Sequence, residues 1–237
     1  MKRILFLIIF TVLSCNESFS QSKNRLGFVF GLNHFSVRGS SFLDEADSDN
    51  GNLIGLTYEY KFNKNFSLVT GLLMQQKKLG YNDAYTFEFF DNDGFYTFND
   101  YTIKTTNNYQ FYQIPLLIRY NFGKNNSFFV NGGFFWAFTG SISRRTKITN
   151  VTEDYSYNVS TDYNNNFLFA DRVGGTDSGI TFGLGKSFLL AQKVNLSIEL
   201  RDDLGLQNSI ADFSSNGISG TIKTNTISLL FQLSFDL

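Results

Sequence analysis

The last thirteen residues, Asn225 to Leu237, leave little choice of backbone. From Ile227 onward every second position is apolar: Ile227, Leu229, Phe231, Leu233, Phe235 and Leu237. Thr226, Ser228, Gln232, Ser234 and Asp236 fill the other parity, and only Leu230 breaks it. Side chains alternate across a strand, so this segment has one greasy face and one polar face. About ten residues of tilted strand are enough to cross the hydrocarbon core of a bilayer. The segment reads as the closing strand of a barrel.

Seven further segments repeat the period: Arg25 to Phe35, Leu53 to Phe62, Phe66 to Lys77, Phe111 to Phe122, Ser127 to Phe138, Asp177 to Phe188 and Val194 to Leu204. Their connections alternate in length. Asn63-Lys64-Asn65, Gly123-Lys124-Asn125-Asn126 and Ala191-Gln192-Lys193 are tight turns by composition. Residues 78–110 and 139–176 read as long polar or aromatic loops, and residues 44–49 belong to a shorter acidic loop. A chain with 28 Phe, 12 Tyr and a single Pro favours strands over helices. No apolar run is long enough for a spanning helix. The fold class predicted is all-β, an eight-stranded antiparallel up-and-down transmembrane β-barrel with long extracellular loops and short periplasmic turns, in one domain over residues 21–237.

Alternation alone does not say which face points inward, since soluble barrels also carry one apolar face per strand. Three features orient this one. Short turns all fall on one side, as they do in membrane barrels. Tyr60, Phe62 and Phe66 crowd the first turn and Tyr120, Phe122 and Phe128 the second, where amphipathic rings prefer the headgroup level. The minority face holds Gly, Thr and potential opposite charges: Glu59, Lys61, Lys77, Arg119, Glu199 and Arg201. Eight strands enclose an interior that side chains just fill, so these six are predicted to form a lumenal charge network. Pro115 conflicts with its place in a strand, because it cannot donate to the ladder; a bulge or a locally widened pair would accommodate it.

Lys2 and Arg3, the apolar stretch Ile4 to Leu13 and the small residue before Gln21 read as a signal peptide, residues 1–20, cut after Ser20. Val12-Leu13-Ser14-Cys15 offers an alternative lipoprotein signal with Cys15 acylated. Cys15 is the one cysteine in the chain, so cleavage after Ser20 leaves no disulfide, thiol nucleophile or cysteine metal site. A net charge of -1 without a basic run points away from nucleic acid.

Tyr112-Gln113-Ile114-Pro115-Leu116-Leu117, then Arg119-Tyr120 and Phe129-Val130-Asn131-Gly132-Gly133, resemble the PorT-like outer-membrane β-barrel domain family. Arg201 followed by Gly205-Leu206-Gln207-Asn208 resembles that family's stretch after the seventh strand. The resemblance implies a small barrel of a Gram-negative outer membrane, inserted by the barrel-assembly machinery, and it implies that Pro115 is a family feature. The terminal Phe235-Asp236-Leu237 is similar to an assembly signal but ends in Leu instead of an aromatic residue. The family's founding member supports protein secretion, and nothing in these residues singles out that role.

Signals for catalysis are sparse. His34 is the sole histidine and shares parity with Phe30 and Leu32, with Ser36, Ser40 and Ser41 close in sequence. That position suits either a lipid A-modifying enzyme or an interfacial side chain, and the second is the reading adopted. Glu45-Ala46-Asp47-Ser48-Asp49-Asn50-Gly51 imitates a Ca²⁺ loop with its glycine one residue late and no closing Glu, and is read as a solvated loop. Arg144, Arg145 and Lys147 are candidate loop contacts to lipopolysaccharide phosphates. The aromatic stretch Tyr81 to Tyr109 has two readings: strands continuing past the membrane, or a partner-binding surface. The expected protein is a monomeric, non-enzymatic outer-membrane barrel without cofactor or metal. Its partners would be outer-membrane lipids and lipopolysaccharide, the assembly machinery during insertion, and a protein at the extracellular loops. Its role would be docking, adhesion or envelope support, with lipid A modification or a secretion accessory as alternatives.

Overall fold

The computed structural model describes residues 23–39, 46–90, 96–152, 155–163, 176–208 and 221–237. The signal-peptide reading and Cys15 lie outside them. The described residues form nine strands: β1 (Asn24–Gly39), β2 (Ala46–Lys61), β3 (Phe66–Phe90), β4 (Tyr96–Phe122), β5 (Phe128–Asn150), β6 (Tyr155–Tyr163), β7 (Thr176–Ala191), β8 (Val194–Gly205) and β9 (Ile222–Asp236). All pairings are antiparallel. Eight strands close into a ring, β1-β2-β3-β4-β5-β7-β8-β9, sealed where β1 pairs with β9 from Arg25↔Asp236 to Gly39↔Ile222. β6 stands outside the ring and pairs only with the far half of β5 among the described residues.

The greasy face points out. Phe28, Phe30, Leu32, Leu56, Leu72, Ile118, Phe134, Phe182, Leu184 and Leu229 are exposed, while Glu59, Arg119, Glu199 and Arg201 are buried. Leu230, the residue out of pattern, turns inward and packs with Val29, Leu53 and Leu73. No helix among the described residues is long and apolar enough to cross a membrane. The crossing is made by strands.

At the turn end, aromatic rings gather around the rim. Tyr60 meets Phe62 edge-on at 5.4 Å, Phe66 lies 5.0 Å from Tyr120, and Tyr120, Phe122 and Phe128 continue the belt at 6.0 and 5.9 Å. Asn63 Oδ1 accepts from the backbone N–H of Asn65 and Phe66 and so closes the first turn. The second turn needs a positive φ at Gly123, of 79°, with Asn125 and Asn126 following at 57° and 52°. Asparagine tolerates that left-handed region because its short amide bonds locally.

Pro115 is accommodated without a bulge. The β3–β4 ladder pairs Thr70↔Leu116 and resumes at Leu73↔Gln113 in unchanged register, leaving a gap where Pro115 has no N–H to give. Thr70 Oγ1 donates to Pro115 O across the gap at 2.8 Å. On its other side Pro115 stays in register opposite Phe135.

The structure corrects the reading of the long connections as loops, and over Tyr81 to Tyr109 it bears out the reading of strands continuing past the membrane. Much of residues 78–110 and 139–163 is strand: β3 and β4 run on together to the pair Phe90↔Tyr96, and β5 continues to Asn150 before β6 returns along it. Residues 46–51, read as part of a loop, open β2. The result is a four-stranded sheet, β3-β4-β5-β6, standing roughly 40 Å along the strands beyond the barrel mouth at about 3.3 Å per residue. Within it the polarity inverts. On the face continuous with the lumen lie Leu79, Tyr101, Ile103, Tyr109, Ile142 and Ile148, all buried or half-buried. On the outward face lie Lys78, Thr102, Lys104, Thr106, Asn108, Ser143, Arg145 and Lys147: β3 and β4 keep the parity of their membrane-facing positions, while an irregularity at Gly140, between Phe111↔Thr139 and Gln110↔Ser141, moves the outward face of β5 from even to odd residues. A hydrophobic exterior suits lipid and a hydrophilic one suits water, so the inversion past Met74 and Tyr112 marks the end of the hydrocarbon. Leu56, 65% exposed at mid-strand, provides a test: Leu56→Arg should destabilise the barrel in lipid vesicles by about 2–4 kcal/mol, while Leu56→Phe should shift the urea midpoint little.

Candidate functional site

Two places concentrate chemistry: the lumen and the extramembrane sheet. The lumen is built in tiers, because each strand places every second residue inside. At the turn end is an ionic tier. Arg25 Nη1 lies 3.3 Å from Glu59 Oε2 and its Nε donates to Asp236 at 2.8 Å, and Lys61 Nζ reaches the same Asp236 oxygen at 2.8 Å. Arg119 donates through Nη1 to Glu59 at 3.1 Å and through Nε to Asn131 Oδ1 at 3.0 Å. Asn131 Nδ2 passes the chain to Glu199 Oε1 at 2.9 Å, and Arg201 grips both oxygens of Glu199 at 2.9 and 3.0 Å. The Arg119 guanidinium also stacks 4.1 Å above the Phe129 ring, a cation–π contact that strengthens when desolvated. Gly183 makes room for the cluster: a Cβ there would collide with Glu199 Oε1.

Above the ions come Val29, Leu53, Leu73 and Leu230, an apolar tier. Beyond it sits a second polar group. Lys77, fully buried, places Nζ 3.3 Å from Asp177 Oδ2 and lies over the rings of Phe111 and Phe35 at 4.8 and 5.4 Å. Thr224 Oγ1 donates to the same carboxylate at 2.6 Å. Gln113 Nε2 donates to Asp203 Oδ2 at 3.1 Å, and Thr181 Oγ1 to Asp203 Oδ1 at 2.5 Å.

Of the six residues singled out by parity, Glu59, Lys61, Arg119, Glu199 and Arg201 meet in one tier. Lys77 is lumenal but belongs to a separate pair with Asp177. Arg25, Asp177, Asp203 and Asp236 also face the lumen, and the sequence reading did not include them. They lie at or near strand ends; Asp236 shares the polar parity of the last strand, but its pairing with Arg25 and Lys61 depends on the β1–β9 closure. The two motif stretches meet inside the barrel. Gln113 of the first bonds Asp203, two residues before Gly205 of the second, and a side chain at Gly205 would collide with Thr224 Oγ1. Ile114 and Leu116 face lipid together with Tyr112, and Leu206 is exposed with its N–H on Ser178 O. Asn208 lies just past β8.

Arg144, Arg145 and Lys147 lie on β5, not on a loop, and the sheet separates them. Arg144 turns to the lumen side, its Nε donating to Asn107 Oδ1 at 2.9 Å, while Arg145 and Lys147 are exposed on the outer face. His34 is exposed on β1, its Nδ1 3.0 Å from Asn50 Oδ1. Ser40 and Ser41 lie outside the described residues. Among the described residues no group of three His, Cys, Asp or Glu is placed to hold a metal ion.

Removing one member of a buried ion cluster strands its partners. Glu199→Gln leaves Arg201 without its bidentate carboxylate, so the urea midpoint of the folded barrel should fall by the equivalent of about 3–5 kcal/mol. Glu199→Gln combined with Arg201→Gln should cost less than the sum of the two single changes.

The family model of the outer membrane protein beta-barrel domain matches residues 5–235. No curated protein matches the chain. Among solved structures, Neisserial surface protein A is similar at 12% identity and a TM-score of 0.40, covering 91% of this chain and 98% of that one. Ail, the attachment invasion locus protein of Yersinia pestis, is similar at 11% identity and a TM-score of 0.37, covering 90% and 99%. The outer membrane protease OmpT of Escherichia coli is similar at 7% identity and a TM-score of 0.35, covering 94% and 99%. With lipid-facing strands, a closed ring and a family match across nearly its whole length, the chain belongs to the outer membrane protein β-barrel domain family and resides in the outer membrane.

Proposed function

We propose that the protein is a non-enzymatic docking or adhesion barrel whose working part is the extramembrane sheet. The observation that carries this reading is the aromatic patch near the tip of that sheet. Tyr85 and Phe87 on β3 are 48% and 47% exposed, and Phe87 meets Tyr101 of β4 edge-on at 5.4 Å. Lower on the same face, Tyr109 and Ile142 are half-buried and support the sheet. A rigid ladder holding half-exposed rings suits an interface, because aromatic anchors held in fixed rotamers supply contact area at low entropic cost.

The tiered lumen supports a closed barrel over a channel, since its side chains interlock from the ionic tier to Lys77. His34 bonded to an asparagine, without a serine or carboxylate in hydrogen-bond reach among the described residues, favours an interfacial role over lipid A chemistry. The PorT-like likeness is the narrower family reading, supported by Gln113 of the first stretch bonding Asp203, which lies between Arg201 and Gly205 of the second. The signal peptide of residues 1–20 and insertion by the assembly machinery complete the proposal.

Cells carrying Tyr85→Ser together with Phe87→Ser should attach to protein-coated surfaces about tenfold less than cells carrying the unaltered chain, at equal surface display. Equal attachment would remove the docking role. In planar bilayers the purified barrel should give no steady conductance, and large open channels would refute the plugged lumen.

A further inference from the structure

The outer face of the extramembrane sheet carries a charge arrangement that the fold does not need. Lys104 of β4 lies directly opposite Lys147 of β5, and Arg145 follows two residues on, opposite Thr106. Like charges facing each other across a ladder destabilise the pair. All three side chains are exposed, and none has an ion pair among the described residues. Lys78 of β3, opposite Asn108, extends the same face toward the barrel. Acids of this face stand at its margins. Asp100 sits four residues beyond Lys104 toward the tip and accepts from Thr86 Oγ1 at 2.7 Å. In the strand register Asp47 of β2 pairs with Gly80 and Asp162 of β6 with Ser143. None of these acids is placed opposite a cation of the group, so positive charge is in excess at its centre. An excess of this kind is explained by an anion that is missing from the chain itself.

The neighbours of these cations say which anion. Around them are Thr102, Thr106, Asn108 and Ser143, all hydroxyls and amides. Tyr101 and Tyr109 fall on the opposite face, and the exposed Phe98 of this face lies beyond Asp100 toward the tip, so no ring stands among the cations themselves as an anchor of the kind a protein interface uses. Cations interspersed with hydroxyl and amide groups suit a phosphorylated sugar, with charge-assisted bonds to phosphate and neutral ones to the ring. The location says where that sugar comes from. The facet continues the lipid-facing side of Tyr112 and Ile114 on β4, and on β5 the irregularity at Gly140 brings Arg145 and Lys147 to the side of Phe134, Trp136 and Phe138, so it looks sideways over the membrane. At about 3.3 Å per residue and a tilt of about 40°, Arg145 and Lys147 stand roughly 15–25 Å above Phe138. That height is above acyl chains and level with the saccharide of lipids packed beside the barrel.

We propose that Lys104, Arg145 and Lys147 form a docking facet for the phosphorylated saccharide of lipopolysaccharide in the surrounding leaflet, with Lys78 contributing from below. The sheet is thereby tethered to its own membrane on one face, while the aromatic face stays available.

The full-length barrel, folded in zwitterionic detergent, is titrated with lipopolysaccharide and with the same lipopolysaccharide after removal of its phosphates. Binding is read as a shift of the folded band, and folding is verified by heat-dependent mobility. The intact lipid should bind the native barrel at least about tenfold more tightly than it binds the Lys104→Gln/Arg145→Gln/Lys147→Gln variant, and the advantage should shrink at high salt. A control with equal charge loss at the turn end, Lys64→Gln/Lys124→Gln/Lys193→Gln, should bind like native. Lys104→Glu converts the repelling pair into an attractive one, so it should keep or raise stability while weakening binding. Equal affinity of the triple variant and the native chain, equal loss in the turn-end control, or indifference to phosphate removal would each overturn the facet. Competition by glucose 6-phosphate at matched phosphate concentration would overturn the lipid source.

Discussion

A backbone crossing hydrocarbon has no water to bond, so every N–H and C=O must find a partner within the protein. The β1–β9 ladder is where that constraint is met, because it joins the first described strand to the last and leaves the ring without an edge. Much else in the barrel depends on it. Closure with eight strands fixes an interior that side chains fill, and the filling residues must then be mutually compatible in charge. The Arg25–Asp236 pair ties the same two strands by an ion pair at the turn end, beside the ladder itself.

The interior answers two costs at once. Burying charges is expensive unless they are paired and bonded, and here Glu59 and Glu199 are each held by two arginines, with Asn131 bridging. A uniformly apolar interior would have served stability, but it would also have removed the difference between the two faces of each strand. With one face greasy and the other ionic, a slip of one residue in register would put arginines in lipid. The ionic tier thus specifies register as much as it adds stability.

Lipid-facing parity was legible in the sequence because the bilayer enforces it uniformly: alternation put Ile118, Phe134 and Leu229 on one face, and the one-sided short turns and the rings beside them turned that face outward. Leu230 could not be placed this way, since an apolar residue inside a mostly polar lumen looks like an error until Val29, Leu53 and Leu73 are found beside it. For a related reason residues 78–110 left two readings open, of which that of continuing strands holds. Their alternation persists, but its sense inverts once the strands leave the membrane, so Lys104 and Tyr101 exchange the faces that such residues occupy below. Parity relative to lipid is a local rule, and it expires where the lipid does. The separation of Arg144 from Arg145 follows in the same way. Adjacent residues look like one basic cluster in a loop, yet a strand sends them to opposite sides.

That inversion also explains how one sheet can serve two environments. Below Met74 and Tyr112 the outer face is held by lipid, and the inner face by packed tiers. Above them the inner face still carries apolar residues, with Tyr109 and Ile142 half-buried and Tyr85 and Phe87 left partly open. The outer face, freed from hydrocarbon, becomes hydrophilic and cationic. A sheet of four strands projecting beyond its barrel has few cross-contacts to brace it, and two faces of opposite chemistry give it two possible supports. Saccharide pressed against Lys104 and Lys147 would steady one side without covering the rings on the other. The strand pairing makes these two surfaces mechanically one object, since Lys104 and Tyr101 are three residues apart on β4.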